Sequence, residues 1–372
     1  MRFLHTADLH LDSAFCSDGQ TGAEIRRQRQ RDLLERIFDI ARDRACDMIL
    51  IAGDLFDSAF VTPETRTLCM SLFERFGGPV VISPGNHDAY VDGCFYKSEN
   101  MPENVHIFTS GELQYFDFPA LDTTVAGYAF TSAAMPRNPL SGPIPVRHNQ
   151  RIILLCAHTE LDNPTSRYAP LFTSDVVRAG FDYAALGHVH SCSESADNIR
   201  YCGIPEGRGF DETGEGCVLV VEADGVGAPT VEKINVAKIR YIREELSVDG
   251  ACEPEDIRAA VAAKLAQYAD GTEYAIRLEL VGAAAPEALC ELEALREREW
   301  QGIGELQIRD LTLSLPDKSY LEKDATLKGE FYRSLSAQLY SDDPKVRAVA
   351  LRALRIGLAA IEGKSITDGG RA

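Results

Sequence analysis

The sequence predicts an α/β fold built on a layered sheet, followed by a small α+β domain and a pair of C-terminal helices. Three observations predict it: a series of short apolar runs that each end in glycine or a metal-type polar residue, a change of pattern after residue 238, and leucine-rich stripes at helical spacing near the end. The runs Phe3-Leu4, Met48-Ile49-Leu50-Ile51, Val80-Val81-Ile82, Ile152-Ile153-Leu154-Leu155 and Tyr183-Ala184-Ala185-Leu186 have the length and continuity of strands buried on both faces. Between the first two, Leu33, Leu34, Ile37 and Phe38 mark a helix, whose start carries Arg26, Arg27, Arg29 and Arg31. Cys217 to Val221 and Val231 to Val236 are two further strands, bounded by glycine or acidic turn residues, that close the layered sheet. The first domain is therefore expected to span 1–238.

A second domain is expected over 239–318. It has a strand around Arg240 to Leu246, a helix with Ile257, Val261, Leu265 and Tyr268 on one face, and an alternating strand through Tyr274, Ile276, Leu278 and Leu280. A second helix follows from about Pro286. The last strand alternates through Leu306 and Ile308 and then shifts phase to Leu311 and Leu313, which predicts a bulge. This domain reads as a cap over a substrate crevice. The segment 319–372 is helical, with Leu327, Phe331, Leu335 and Leu339 at four-residue spacing. Its last helix starts at Asp343-Pro344, shows a stripe of Val346, Val349, Ala350, Ala353, Leu354, Leu358 and Ile361, and meets a stop at Gly363. Such helices either pack on their own domain or dock a partner helix.

The chemistry sits where the first five runs end. Asp8-Leu9-His10, Gly53-Asp54, Gly85-Asn86-His87-Asp88, His158 and Gly187-His188-Val189-His190 follow them in order, and in an α/β sheet the carboxyl ends of strands line the ligand crevice. Five of the eight histidines fall in these motifs, leaving His5, His106 and His148 elsewhere. A lone Gly-Asp or Asp-x-His usually marks a turn or a cap, and a lone histidine is usually a satisfied core residue. The ordered set supplies carboxylate, amide and imidazole ligands together, which is the donor set of a two-metal phosphoesterase.

Composition narrows the setting. There is no basic and apolar N-terminal leader and no apolar run near the ~20 residues of a membrane span, so a soluble cytoplasmic protein is expected, with no membrane partner. The ten cysteines contain no Cys-x-x-Cys pair, which fits a reducing compartment. Cys192 and Cys202 stand near the last motif and are read as buried or inert thiols. The net charge of −19 argues against tight DNA binding by this chain alone. Arg27, Arg31 and Arg208 are candidate phosphate contacts, with Lys97, Arg137 and Arg147 behind them. The arginines of the first helix read first as a solvated face paired with Asp32, Glu35 and Asp39, and second as a phosphate track.

Asp8-Leu9-His10-Leu11, Gly53-Asp54-Leu55-Phe56-Asp57, Gly85-Asn86-His87-Asp88, Ala157-His158 and Gly187-His188-Val189-His190 resemble the calcineurin-like metallophosphoesterases, specifically the SbcD-type DNA repair nucleases. Asp12-Ser13 and Gly203-Ile204-Pro205-Glu206-Gly207-Arg208, followed by Glu212-Thr213-Gly214, resemble a YhaO-like branch of that group. The resemblance covers roughly the first 240 residues. It implies a layered fold of two sheets sandwiched by helices, and two divalent ions, Mn²⁺ before Mg²⁺ or Fe²⁺. Asp8, His10, Asp54 and His190 would surround one ion and Asp54, Asn86, His158 and His188 the other, with Asp54 bridging. His87 would be a catalytic acid or charge stabiliser near the leaving oxygen, and Asp57 and Asp88 would orient ligands or cap turns. The resemblance further implies DNA as substrate, an SbcC-like or YhaN-like SMC-type ATPase as partner, and a homodimer.

Three functions are thereby open. The leading one is a metal-dependent exo- and endonuclease in double-strand-break repair. A metallophosphatase or small-molecule phosphodiesterase uses the same ligands and differs in substrate preference. A non-catalytic adaptor is disfavoured because no ligand position holds a residue unable to coordinate.

Overall fold

A computed structural model describes residues 1–15, 19–141, 150–249, 251, 253–284, 286–314, 318–341, 343–361 and 363. Arg147 and His148 lie outside the described residues. The chain divides into two compact units, Met1–Lys238 and Ile239–Ala372.

The first unit holds two six-stranded mixed sheets. One runs β12 (Thr230–Asn235), β11 (Cys217–Glu222), β1 (Arg2–Thr6), β2 (Met48–Ile51), β3 (Val80–Ile82), β4 (Val105–Ile107). The other runs β5 (Gln114–Phe118), β6 (Thr123–Gly127), β7 (Ile152–His158), β8 (Tyr183–Gly187), β10 (Ile199–Tyr201), β9 (Ser193–Ala196). All five apolar runs that end in site motifs are strands. β1, β2 and β3 are mutually parallel, as are β7 and β8, so in each sheet the motifs emerge at the same ends.

Alternation along these strands separates the layers. Phe3, Met48, Leu50 and Val81 share a buried cluster with Ile152, Leu154, Cys156, Tyr183 and Ala185, so the sheets pack face to face. Leu4, Ile49, Ile51, Val80 and Ile82 point the other way, into Leu33, Leu34, Ile37 and Phe38 of α1 (Gly19–Asp43) and Cys69, Leu72 and Phe73 of α2 (Pro63–Phe76). Leu155, Ala157, Ala184 and Leu186 form the outer face of the second sheet with Val176 of α4 (Thr173–Ala179); the short α3 (Phe95–Ser98) adds Phe95 to the first outer layer. The result is the expected layered α/β arrangement of two sheets between helices. α2 starts cleanly because Thr62 caps it, Pro63 opens it and Asp12 accepts from the Thr62 amide at 2.7 Å.

The sheets meet closely where β8 ends. A methyl group added at Gly187 would lie 2.0 Å from the Ala52 carbonyl oxygen and 2.7 Å from Ala7 Cβ, at the ends of β2 and β1. Only glycine lets these three strand ends converge.

In the second unit, β13 (Ile239–Ser247), β14 (Glu273–Val281) and β16 (Ile303–Asp310) form a parallel sheet. α5 (Pro254–Leu265) buries Ile257, Val261 and Leu265 on it, and α6 (Leu292–Glu297) follows a 3₁₀ turn at Pro286–Leu289. The phase shift expected as a bulge near Leu311 is instead a change of sheet. The chain leaves β14 after Asp310, and β17 (Leu313–Ser314) pairs with β15 (Ala283–Ala284). The register irregularity lies at the other end, between Tyr274 and Ala275. α7 (Lys318–Lys323), α8 (Leu327–Leu339) and α9 (Pro344–Ile361) share a small core of Leu321, Tyr332, Leu339, Ala350, Leu354 and Leu358. Gly363 takes φ +65°, as expected of a helix stop. Of the two stripes, Leu327 on α8 and Val346 and Val349 on α9 are exposed.

Replacing Gly187 by alanine should lower stability by about 1–3 kcal/mol through this clash. Chemical denaturation would measure it, and an unchanged midpoint would refute the close approach.

Candidate metal centre

Backbone pairing between the motif loops aims their side chains at one point. The amides of Asp8, His10 and Leu11 donate to the carbonyls of Gly53, Asp54 and Leu55 at 2.9–3.0 Å. Asp8, His10 and Asp54 take positive φ of 54°, 47° and 48°, and His188 takes 97°. Non-glycine residues hold such conformations only when the surroundings impose them, and functional sites are where they collect. Here the imposition is visible: the His188 amide donates to both Asp8 carboxylate oxygens at 3.0 Å.

The ring nitrogens then sort themselves. His158 donates from Nδ1 to the Ala52 carbonyl at 3.0 Å, which turns Nε2 into the site and leaves it the lone pair of the neutral ring. That nitrogen faces Asn86 Oδ1 at 3.0 Å and Asp54 Oδ2 at 3.3 Å, oxygens to which it donates when protonated. His190 Nδ1 stands 3.0 Å from Glu212, which likewise leaves Nε2 to coordinate. His10 Nδ1 makes no well-aligned hydrogen bond but has Asp57 Oδ1 3.2 Å away, while its Nε2 lies 3.3 Å from His190 Nε2 and 3.8 Å from Asp54 Oδ2. Two clusters of lone pairs thus converge with Asp54 Oδ2 between them. Metal-free, a proton on His158 serves its contacts to Asn86 and Asp54, and a divalent ion would take that proton's place.

The protonation preferences carry the same message. Burial disfavours a charged His158, yet the Asp54 and Asp8 carboxylates push it up to about 9. Burial, reinforced by the charge of Asp54, raises Asp8 to about 7. Burial also opposes ionised Asp54, but His158, His10 and the His87 amide hold it below the usual carboxylate range. Burial and the neighbouring His158 lower His188 to about 4. The carboxylates of this pocket thus favour positive charge beside them. Asp8 with His10 and His190, His10 with Asp54 and His87, and Asp8 with Asp54 and His158 each form a group whose ligand atoms lie within 4.8 Å of one another, a spacing that fits divalent ions.

Surrounding residues hold these side chains. Asp88 accepts from the Gly85 amide at 2.7 Å, the Leu55 amide at 2.9 Å and the Tyr96 hydroxyl at 2.6 Å, tying the second motif to the third. The Asp54 carboxylate fits beneath Gly85, where a Cβ would lie 2.2 Å from Oδ1. His87 is exposed, and its Nδ1 donates to the Asp57 carbonyl at 2.9 Å. The His188 ring lies 5.1 Å from that of His158 and 4.5 Å from that of Tyr168. Glu212 joins the site although no site role was assigned to it from sequence; its signals are its place in the Glu212-Thr213-Gly214 motif and its spacing of four residues from Arg208, with which it pairs. Arg208 also reaches Asp57 Oδ1 at 2.7 Å, joining the two carboxylates that face His10 and His190.

The arginines offered as phosphate contacts are thus differently engaged. Arg208 is held by Asp57 and Glu212, Arg27 pairs with Glu24, and Arg31 is buried against Glu24 and Gln28 with Asp12 at 3.8 Å. Lys97 and Arg137 pair with Asp92 and Glu112.

A model of the calcineurin-like phosphoesterase family matches residues 1–192. The chain belongs to that family. The family's divalent-metal chemistry suits the donor set described above, and its layered fold is the one the first unit adopts. The chain is 31% identical over 243 residues to a metallophosphoesterase of Bacillus subtilis, YhaO, described as uncharacterized, covering 60% of this chain and 58% of that protein. It is 26% identical over 296 residues to the SbcD component of the nuclease SbcCD of Escherichia coli, covering 63% and 68%. A DNA double-strand break repair protein Mre11 of Methanopyrus kandleri is 25% identical over 301 residues, covering 70% and 62%. The chain therefore spans less than two thirds of YhaO and Mre11. Among the described residues no helix is long and apolar enough to cross a membrane.

Replacing Glu212 by glutamine removes the carboxylate that orients His190 and should weaken divalent-ion binding about 10–100-fold. Isothermal titration with Mn²⁺ measures it, and unchanged affinity would mean that His190 is oriented by other contacts.

Proposed function

We propose that this chain is a two-metal phosphodiesterase that cleaves DNA in double-strand-break repair. The observation that supports the reading is that Asp54 Oδ2 lies between the His158–Asn86 cluster and the His10–His190 cluster, an arrangement that would suit two adjoining cations. Asp8, His10, Asp54 and His190 would hold one ion and Asp54, Asn86, His158 and His188 the other. Bound there, a pair of divalent ions such as Mn²⁺ supplies a water nucleophile at neutral pH and neutralises charge on the phosphate oxygens.

The chain's own residues do the rest. Asp54 and Asp8, fixed by the His87 and His188 amides, set the spacing of the two positions. Asp57 fixes the His87 ring through Nδ1, leaving Nε2 to carry a proton toward the leaving oxygen. His87 is exposed while every other imidazole of the site is mostly buried, so it is the one a substrate meets. The choice of DNA over a small phosphoester rests on the relatives named as part of a nuclease and as a break repair protein. In this reading the helices of 319–372 dock an SbcC-like or YhaN-like SMC-type ATPase, the nuclease forms a homodimer in the cytoplasm, and the partner contributes the DNA-binding charge that a chain of net charge −19 lacks.

With Mn²⁺, the purified chain should cleave linear duplex DNA and a chromogenic diester. His87→Ala should slow both by about 10²–10⁴-fold, and Asp54→Ala should abolish both. Turnover of a chromogenic monoester with DNA untouched would replace this reading with a phosphatase. Removing residues 319–372 should abolish co-purification with a co-expressed SMC-type ATPase while leaving Mn²⁺ binding intact, and retained co-purification would locate the docking surface elsewhere.

A further inference from the structure

The apolar stripe of α1 carries an uncharged polar residue at a core position. Gln30 stands three, four and seven residues before Leu33, Leu34 and Ile37, on the face that packs on the first sheet, and is buried with them. Its Nε2 donates to the His10 carbonyl at 2.7 Å and reaches the Leu9 carbonyl and Ser13 Oγ at 3.4 Å. These partners fix the orientation of the amide, because carbonyls only accept. The Ser13 hydroxyl donates to the same His10 carbonyl, also at 2.7 Å. The amide of His10 donates in turn to the Asp54 carbonyl at 3.0 Å. The backbone of His10 is thus held from both sides in its left-handed conformation, φ 47°.

Core packing does not account for Gln30. Among the described residues no group donates to its buried Oε1, and a buried acceptor without a protein donor lowers stability. Methionine has nearly the same length and would fill the same space without that cost. What the amide adds is its hold on His10. α1 also reaches the loop behind His190, since the Arg26 guanidinium donates to the Arg208 carbonyl, and Arg208 pairs with the Glu212 that faces His190. His10 and His190 therefore both lean on this helix. His158 and His188 are supported elsewhere: the His158 carbonyl accepts from the Tyr128 hydroxyl at 2.9 Å, and the His188 ring lies against Tyr168.

We propose that Gln30 is a positioning residue of the metal centre, which fixes the His10 backbone for the ion at Asp8, His10, Asp54 and His190 and takes no part in holding the ion at Asp54, Asn86, His158 and His188. This inference rests on the two-ion reading above. Without the Gln30 donor the His10 carbonyl keeps only the Ser13 hydroxyl, the left-handed turn relaxes, and His10 Nε2 leaves the place where it meets His190 Nε2. The supports of His158 and His188 are untouched by that change. One polar side chain in a helix core thereby sets the relative affinities of two adjoining ions.

The test is titration calorimetry of the metal-free full chain with Mn²⁺, with thermal melting of the same metal-free samples. Wild type should bind an ion at each position. Gln30→Met should weaken one of the two steps about 10–100-fold and leave the other within about twofold, while melting at or above the wild-type temperature. Ser13→Ala removes the other donor to the same carbonyl and should weaken the same step, which gives a second reading that does not depend on the folding of Gln30→Met. Electron paramagnetic resonance separates the steps: Mn²⁺ at two equivalents should give the spectrum of a coupled pair in wild type and the six-line signal of isolated ions in Gln30→Met. Unchanged binding in both variants, or equal weakening of both steps, would overturn the proposal with the two-ion reading intact. A wild type that binds fewer than two ions would overturn that reading and this inference with it.

Discussion

Everything at this site depends on one close approach, the convergence of β1, β2 and β8 at their carboxyl ends. Gly187 lies where a single methyl group would strike the Ala52 carbonyl and Ala7 Cβ, and the same convergence lets the Asp8 carboxylate receive the His188 amide from the opposite sheet. Two sheets packed face to face are normally about 10 Å apart. Side chains could not bridge that gap with the short contacts seen here unless the strand ends bent together. The positive φ angles at Asp8, His10, Asp54 and His188 are the local cost of that bending, and the backbone hydrogen bonds between motif loops are what sustain it.

Electrostatics and packing reinforce one another in this arrangement. The interior carries Asp8 and Asp54 together with the polar atoms of His10, Asn86, His158 and His190, and burial strengthens the attraction of the carboxylates for a proton on His158 as surely as it would for a cation. A fold that only needed a core would not assemble such a set. Carboxylates behind the imidazoles complete the logic, since Asp57 and Glu212 favour the tautomers that turn Nε2 inward. Arg208 stands between those two carboxylates and keeps them from repelling one another.

Much of this was legible in the sequence because it follows from local pattern. Short apolar runs followed by glycine and polar ligands announce strands whose ends carry a site, and all five are strands with Asp8, Asp54, Asn86, His158 and His188 at or just beyond their ends. The helix with Leu33, Leu34, Ile37 and Phe38 declared itself through its period. What stayed hidden depended on pairing between distant segments. Glu212 looks like any exposed acid in a glycine-rich loop until the fold sets it behind His190, and Arg208 looks like a phosphate contact until its two carboxylate partners arrive. The step from β16 to β17 escapes a sequence reading for a related reason. A phase shift in an alternating strand is equally produced by a bulge and by a change of partner, and only the presence of β15 decides between them.

The same pairing bears on how an acidic chain could act on a polyanion. Arg27, Arg31, Lys97, Arg137 and Arg208 are each held by a carboxylate of this chain, so recruiting any of them to a phosphate would mean breaking an ion pair and exposing its acid to the approaching charge. None of these five side chains is therefore free to take a phosphate, and on the proposed reading the metal centre would supply the grip. A site of that kind grips one phosphate well and the flanking backbone poorly. On the proposed nuclease reading, such a distribution would suit a cutting component to which a basic partner presents the strand.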